Sequence, residues 1–417
     1  MFYEQSRLPN GLTVISERMD AVRSVALGIW YRVGSRDESP TQSGLTHFME
    51  HMMFKGTEKR SVLDISMSFD AMGAELNAFT SKEYTCYYVR VLDEKLESAF
   101  EILSDMVTAS VFATDAIHSE REVVIEEISR SEDTPDDHIG DLFSDAFYPT
   151  VQLGRPILGT RELVGAYEHD DCQSFHDAHY HAGNATVVAS GSVDHERLVA
   201  LCERYLDVMP GGKTNDRGIV NEQNRQFLAT LKRPTEQAHL LIGMPGIPLG
   251  SDERFAGSIH DTILGGPMSS RLFQEVREKR GLAYAVYAST ASYMNAAQFS
   301  VYAGTRPSNL GEVLGIIHSE FEKMASSGVT SEELERAQEY IIGNTVLKNE
   351  STPARMVRLG AHQVNGLEIL SLDEIIERFR AVTCADVKAV AEKILSDKPT
   401  VAVISPLEQA EVAALLA

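Results

Sequence analysis

The amino-acid sequence predicts an α+β protein built from two tandem homologous domains, each a mainly antiparallel sheet with helices packed on it. Two observations lead to this class. Short β-branched runs joined by tight turns precede long stretches of helix-forming residues, and the same order of elements returns in the second half. One polar, glycine-containing stretch near the midpoint separates the halves. We therefore expect domains at residues 1–210 and 227–417, joined by a linker at 211–226.

The first half begins with strands and continues into helices. Asn10 and Gly11 give a tight-turn signal before a β-branched run, and residues 25–33 form an apolar strand. A polar loop at 34–43 leads into a helix within 44–54. A short helix, a two-stranded hairpin and two longer helices are then expected, at 61–72, 73–91, 92–110 and 115–131.

The second half repeats this order. It opens with strands and a helix that match those of the first half, at 238–244, 251–264, 281–289 and 297–303. Four helices and a last strand follow, at 308–327, 331–349, 369–378, 384–396 and 400–404. The helix that corresponds to 44–54 carries His260 and Asp261, without a second histidine at helical spacing. Only the first half is therefore predicted to be catalytic.

The stretch 44–54 reads GLTHFMEHMMF and carries the main functional signal. His47 and His51 are four residues apart, so on a helix they lie on one face, as two ligands of one metal ion must. Glu50 falls beside them, and the remaining arc is mostly apolar. Because burying such polar groups unpaired costs several kcal/mol, the sequence predicts a His-x-x-Glu-His zinc site. Hydrogen-bonded core histidines beside a glutamate remain the alternative.

A second helix supplies candidates for a third ligand. The apolar arc of this helix is formed by Val123, Val124 and Ile128. Glu120 and Glu127 fall inside this arc on a helical wheel, and Glu122 and Glu126 fall outside it. A catalytic zinc site with two histidines needs one more protein ligand. The bound cation would also offset the cost of burying a core-facing carboxylate. Glu127 is the predicted third ligand and Glu120 an outer group, with loosely placed surface acids as the alternative.

His176 and His179 also resemble a metal-binding cluster. However, they end a helix just before a strand at 184–190, and cationic side chains are ordinary at helix C-termini. We expect them to be structural.

Composition limits the function classes. A net charge of −23 argues against nucleic acid as a partner, because binding it needs a basic surface. No run of about 18 apolar residues is present, so no membrane insertion is expected, and the N-terminus lacks a signal-peptide pattern. The four scattered cysteines are typical of a reducing compartment, and the cytoplasm is the expected location. The acidity fits either simple solubility or an acidic chamber that attracts basic peptides.

Three segments together resemble the pitrilysin/insulinase metallopeptidases, which are inverzincins: residues 44–57, 75–80 and 120–128. Within that family the chain is similar to the short, two-domain class that includes mitochondrial processing peptidase and its bacterial relatives. The resemblance covers essentially the whole chain. It implies one Zn²⁺ per chain held by His47, His51 and Glu127, with Glu50 as general base and Glu120 as an accessory acid.

The resemblance also implies groups that bind the substrate. Asn77 would contact the peptide backbone, while the strand around Ala78 and Phe79 would pair with the peptide as an added strand. Residues 273–284 resemble the segment that supplies an arginine and a tyrosine to the substrate, which are Arg277 and Tyr284 by position. Taken alone, these two residues are a helix surface charge and a strand aromatic.

The resemblance implies a zinc-dependent endopeptidase that cleaves unfolded or extended peptides inside a dimeric chamber. Zinc-bound water would attack the peptide bond with Glu50 as general base. The chain keeps both the zinc motif and the Arg277–Tyr284 pair, which favours a homodimer and leaves a heterodimer with a related subunit open. The alternatives are a non-catalytic peptide-binding or assembly subunit and a zinc hydrolase that acts on other bonds.

Overall fold

The computed structural model describes residues 2–214, 217–218, 220 and 225–416. Their strands form a six-stranded and a five-stranded sheet, and most neighbouring strands are antiparallel. Helices pack on both sheets, so the predicted α+β class is confirmed. Part of the predicted linker, 211–226, lies outside the described residues. The described part of that stretch forms neither helix nor strand.

The first sheet consists of six strands: β1 (Glu4–Arg7), β2 (Thr13–Arg18), β3 (Ser24–Tyr31), β4 (Glu75–Thr80), β5 (Thr85–Leu92) and β6 (Ala185–Gly191). Their order is β1-β2-β6-β3-β5-β4, with β2 and β6 parallel and the other neighbours antiparallel. The predicted hairpin is β4–β5, in which Asn77 lies opposite Tyr88 and Ala78 opposite Tyr87. β4 is an edge strand, and one side of its backbone pairs with no strand in the described part of the chain.

The helices of the first half are α1 (Leu45–Met52), α2 (Val62–Met72), α3 (Leu96–Ala109), α4 (Thr114–Asp133), α5 (Pro135–Phe147), α6 (Arg161–Val164), α7 (His169–His179) and α8 (His195–Leu206). α1 and α3 lie against the hairpin, and α8 lies against β2. Phe48, Met52 and Phe100 are among their fully buried side chains. One face of the first sheet is thereby covered by helices that precede or follow its strands closely in sequence.

The second sheet consists of β7 (Leu228–Lys232), β8 (Ala238–Pro245), β9 (Ala283–Ser292), β10 (Ala297–Thr305) and β11 (Thr400–Ser405), in the order β7-β11-β8-β10-β9. The remaining helices are α9 (Arg254–Gly265), α10 (Leu310–Ser327), α11 (Ser331–Lys348), α12 (Thr352–Val364), α13 (Leu372–Ala381), α14 (Cys384–Leu395) and α15 (Gln409–Leu415). β7 and β11 are parallel, and the hairpin β9–β10 forms the far edge. This path repeats that of the first sheet from β2 onwards.

The chain divides into two compact units that are not continuous in sequence. One comprises residues 1–129, 155–218 and 347–369, and the other comprises residues 130–154, 219–346 and 370–417. α12 therefore belongs to the unit of the first sheet, and α5 belongs to the unit of the second. The continuous domains expected from the sequence, 1–210 and 227–417, do not include this exchange of helices.

α12, for which the sequence analysis assigned no element, covers the second face of the first sheet. It packs on β3 and β6, and the indole N–H of Trp30 donates to Met356 Sδ at 3.3 Å. Gly360 lies so close that a methyl group there would be 2.2 Å from Trp30 Cε2. The buried carboxylate of Glu17 pairs with two arginines of this helix, Arg355 and Arg358.

α5 plays the matching part in the second unit. It lies on β8 and β11, where Phe143 and Phe147 join a buried apolar cluster. Gly243 allows this approach, because a methyl group on it would lie 2.8 Å from Phe143 Cζ. Among the described residues, no helix is long and apolar enough to cross a membrane.

We predict that Gly360→Ala destabilises the protein by about 1–3 kcal/mol, because the added methyl group overpacks the α12–Trp30 contact. The measurement is urea unfolding followed by tryptophan fluorescence, which reports on this contact because Trp30 is the single tryptophan. The control is Gly343→Ala in α11, where a methyl group meets no atom within 4 Å. That substitution should be neutral or stabilise by about 0.5–1 kcal/mol. Equal midpoints for the two variants would contradict the packing described for α12.

Candidate metal centre

The helix that carries the two histidines begins at a buried cap. Glu38 in the preceding loop accepts hydrogen bonds from the backbone N–H groups of Gly44 and Thr46, at 3.0 and 2.8 Å. Such bonds satisfy donors that have no partner within a helix. Burial raises the pKa of Glu38 to about 7, against the lowering effect of these bonds. Gly44 has a φ of 94°, and a methyl group there would lie 2.6 Å from Leu158 O.

α1 packs its apolar side into the first unit and keeps three polar side chains on the other side. Its buried residues include Leu45, Phe48, Met49 and Met52. His47, Glu50 and His51 are half-buried and lie together, in the arrangement that their spacing predicts. The rings of the two histidines are 4.7 Å apart between centroids.

α4 places a carboxylate opposite the histidines. The helix buries Ile117, Glu120, Val124 and Ile128, and Glu127 is half-buried. Glu122 and Glu126 are exposed, as the helical wheel predicts. The wheel is wrong about Val123, which is 43% exposed. The buried stripe follows the spacing 117, 120, 124 and 128, and Val123 lies about 100° away from Val124 on the helix.

The two helices bring three possible ligands together. One ligand atom from each of His47, His51 and Glu127 lies within 4.8 Å of the other two. Glu127 Oε2 is 3.7 Å from His47 Nε2 and 3.6 Å from His51 Nε2. A tetrahedral zinc with bonds of about 2.0–2.2 Å separates its ligand atoms by roughly 3.4 Å, so the donor set fits this metal. It is the one group of three or more possible ligands found in the described part of the chain.

The two histidines differ in their surroundings. Burial, with His51 nearby, lowers the pKa of His47 to about 3, so its ring is neutral as a metal ligand must be. Burial alone would lower the pKa of His51, but the bond to Glu120 and the neighbouring carboxylates raise it. His47 Nδ1 is buried with no hydrogen-bond partner among the described residues. The corresponding nitrogen of His51, Nδ1, is hydrogen-bonded to a carboxylate.

That carboxylate is Glu120, which also contacts a lysine that the sequence analysis missed. Glu120 Oε1 lies 2.9 Å from His51 Nδ1, and Oε2 lies 2.5 Å from Lys55 Nζ. Burial would raise the pKa of Glu120, but the bonds from His51 and Lys55 hold it below its ordinary value. Glu120 thus contacts a possible ligand but is not one of the three clustered groups. No local pattern in the sequence indicates this contact, because Lys55 lies beyond the end of α1 and its partner is on α4.

Glu50 is held by a second residue that sequence reasoning missed. The hydroxyl of Thr80, at the end of β4, donates to Glu50 Oε2 at 2.5 Å. Burial raises the pKa of Glu50, while the Thr80 bond and His51 act in the opposite direction. Glu50 is not among the three clustered candidate ligands.

Four of the other predicted site residues lie on the edge strands β4 and β9, and Arg277 lies in the π-helix Phe273–Glu278 that precedes β9. Asn77 is exposed on β4, and Ala78 packs against the hydrophobic core that contains the apolar residues of α1. The ring of Phe79 packs on that of Trp30, with centroids 5.4 Å apart. In the second unit, the Arg277 guanidinium lies 4.8 Å from the ring of Phe273 and 4.7 Å from that of Tyr284. Arg277 also donates to Tyr284 O at 2.8 Å, so these two predicted residues are in contact.

His176 and His179 take no part in the cluster. His176 Nε2 bonds to Val107 O at 2.9 Å, and its ring stacks on Tyr180 with centroids 4.9 Å apart. Burial lowers the pKa of His179. The ring of His179 packs on Phe175, with centroids 4.5 Å apart, so both histidines contact neighbouring protein groups at the end of α7, in keeping with the predicted structural role.

Family models match both halves of the chain. Residues 13–161 match the insulinase family of peptidases (peptidase family M16), and residues 167–341 match the M16 inactive domain. An uncharacterized zinc protease of Streptomyces coelicolor is 42% identical over 99% of this chain and 91% of its own length. The chain belongs to peptidase family M16. The second half has no His-x-x-Glu-His motif, which agrees with its match to the inactive domain of the family.

A further relative agrees with this assignment, and a solved structure shares the fold. The uncharacterized zinc protease YmxG of Bacillus subtilis is 37% identical over 95% of this chain and 97% of its own. A protease from Helicobacter pylori shares the fold, with a TM-score of 0.90, 21% identity and coverage of 97% and 99% of the two chains. This M16 chain is a zinc protease, a hydrolase of peptide bonds, and His47, His51 and Glu127 are its candidate zinc ligands.

We predict that Glu127→Gln weakens zinc binding at least 100-fold, because a neutral amide oxygen is a far poorer zinc ligand than a carboxylate. Competition with a chromogenic chelator measures the affinity. Glu126→Gln is the matched control, because Glu126 is the adjacent, exposed acid on the same helix. Wild-type affinity in Glu127→Gln would remove this residue from the ligand set.

Proposed function

We propose that this M16 chain is an endopeptidase that cleaves extended or unfolded peptides, with Glu50 as general base. The observation that carries the proposal is the position of Glu50. It lies on the helix of His47 and His51, outside the ligand cluster, with its carboxylate held by Thr80. A zinc ion, when bound, lowers the pKa of its water ligand towards about 7 and polarises the scissile carbonyl.

The residues of the chain then have distinct tasks. Glu50 takes a proton from the attacking water and later delivers it to the leaving amine, which restores its carboxylate. The Thr80 hydroxyl fixes one carboxylate oxygen, so the other faces the reacting atoms. Glu120 holds His51 by its outer nitrogen and contributes to orientation instead of direct proton transfer.

The edge strand β4 supports the choice of extended peptides as substrates. A peptide that pairs with its free side gains main-chain hydrogen bonds whatever its side chains, whereas most backbone groups of a folded protein are already paired within it. Asn77 is exposed on this strand, where it could contact the added backbone. The net charge of −23 favours basic peptides among the possible substrates.

We also propose a homodimer. The ligand set and the Arg277–Tyr284 pair occur in one chain, so one kind of subunit supplies every predicted group. Sedimentation equilibrium of the purified chain would give a monomer mass if the proposed dimer is wrong.

The four cysteines are free, and three of them are buried, which supports a reducing compartment such as the cytoplasm.

We predict that Glu50→Gln retains zinc but cleaves an unstructured, arginine-rich fluorogenic peptide about 100- to 10,000-fold more slowly, because the general base is lost. The wild type treated with a chelator should also be inactive. Glu58→Gln, an exposed glutamate that follows the same helix, is the control and should retain activity. Near-normal rates in Glu50→Gln would remove its role, and an inactive, zinc-loaded wild type would favour a peptide-binding or assembly subunit.

We predict that N-methylation of single substrate amides raises KM in an alternating pattern. Only every second residue of a paired strand directs its N–H towards the neighbouring strand, so only those methyl groups break a hydrogen bond. Cleavage kinetics of a series of singly methylated peptides test this. A uniform effect at all positions would contradict pairing with β4.

A further inference from the structure

Lys55 connects the end of the histidine helix to α4. Its backbone N–H donates to Met52 O at 3.1 Å, in the turn that closes α1. Its side chain reaches Glu120, where Nζ lies 2.5 Å from Oε2. The other oxygen of that carboxylate lies 2.9 Å from His51 Nδ1, and the Glu120 side chain is only 5% exposed. One buried carboxylate is therefore shared between a lysine and a metal ligand.

We propose that Lys55 is a positioning residue of the metal centre, and this inference rests on the proposed zinc site. A carboxylate bonded through one oxygen can rotate about its last carbon–carbon bond. Lys55 fixes the second oxygen of Glu120 through a charge-assisted hydrogen bond, so the first oxygen stays directed at His51 Nδ1. His51 then donates from Nδ1 and keeps the lone pair of Nε2 for the metal.

The same pair fixes the distance between the two ligand-bearing helices. α1 carries both histidines, and α4 carries Glu120 and Glu127. The Lys55–Glu120 and His51–Glu120 contacts join these helices without a metal ion. Lys55 therefore prepares the site before the metal binds, which reduces the ordering cost of binding.

The two histidines differ in the groups that orient their rings, and this difference supports a positioning role for Lys55. His47 Nδ1 is buried without a hydrogen-bond partner among the described residues, so no comparable carboxylate orients that ring. His51 is the ligand with a built support, and that support ends at Lys55. Loss of the Lys55 charge should therefore disturb the geometry of the metal site as well as local stability.

The test is zinc affinity, measured by chelator competition for the full chain and three variants. Lys55→Met keeps most of the side-chain length and removes the charge, and it should weaken zinc binding about 10- to 100-fold. Lys55→Arg restores a cation and should recover most of this loss. Lys59→Met is the matched control, because Lys59 is in the same loop and lies 3.8 Å from another buried acid, Asp105. It should bind zinc as the wild type does.

Cobalt substitution gives a second readout that a purely structural role would not change. The visible absorption of bound Co²⁺ depends on ligand geometry, so Lys55→Met should alter the band and Lys59→Met should not. Wild-type zinc affinity and an unaltered cobalt band in Lys55→Met would overturn the inference, even if the metal-free variant unfolds more easily. Failure of the wild type itself to bind zinc would instead overturn the proposed function.

Discussion

The cost of burying polar side chains is the constraint on which this site depends. α1 must pack its apolar residues into the first unit, yet it carries two imidazoles and a carboxylate beside that core. Thr80 compensates Glu50, Glu120 compensates His51, and Glu38 caps the start of the helix, whereas His47 Nδ1 has no hydrogen-bond partner among the described residues. The facing nitrogens of the two histidines and the carboxylate of Glu127 form the candidate metal centre, where a bound ion would compensate their burial. The arrangement that stabilises the helix is thus also the arrangement that builds the centre.

The exchanged helices show how the fold supports that centre. Each sheet has two faces to bury, and in each unit one face is covered by a helix from the other half of the chain. α12 closes the side of the first sheet opposite α1, where Phe79 of the edge strand packs on Trp30. The strand proposed to receive the peptide is thereby backed by an apolar layer. Neither half of the sequence is expected to be stable alone, because one apolar face of each sheet would then be exposed.

Local patterns in the sequence predicted the hairpin, both ligand-bearing helices and the burial of Glu120. They could not predict Lys55 or Thr80 as supporting groups, because each acts on a residue far away in the sequence or on another element. The wheel misplaced Val123, since an arc drawn through neighbouring apolar residues is wider than the stripe that packs. The segment of α12 was assigned no element, although Met356, Leu359 and Val364 are buried at helical spacing. No local pattern could show that this helix covers a sheet formed by the other half of the chain.

X-ray absorption at the zinc edge of the purified wild-type chain reads the ligand set of the centre without a substrate. We expect four-coordinate zinc bound by two imidazole nitrogens and two oxygens at about 2.0–2.2 Å, one from Glu127 and one from water. A sulfur shell, a third imidazole, or six oxygen neighbours would contradict a centre built from His47, His51 and Glu127.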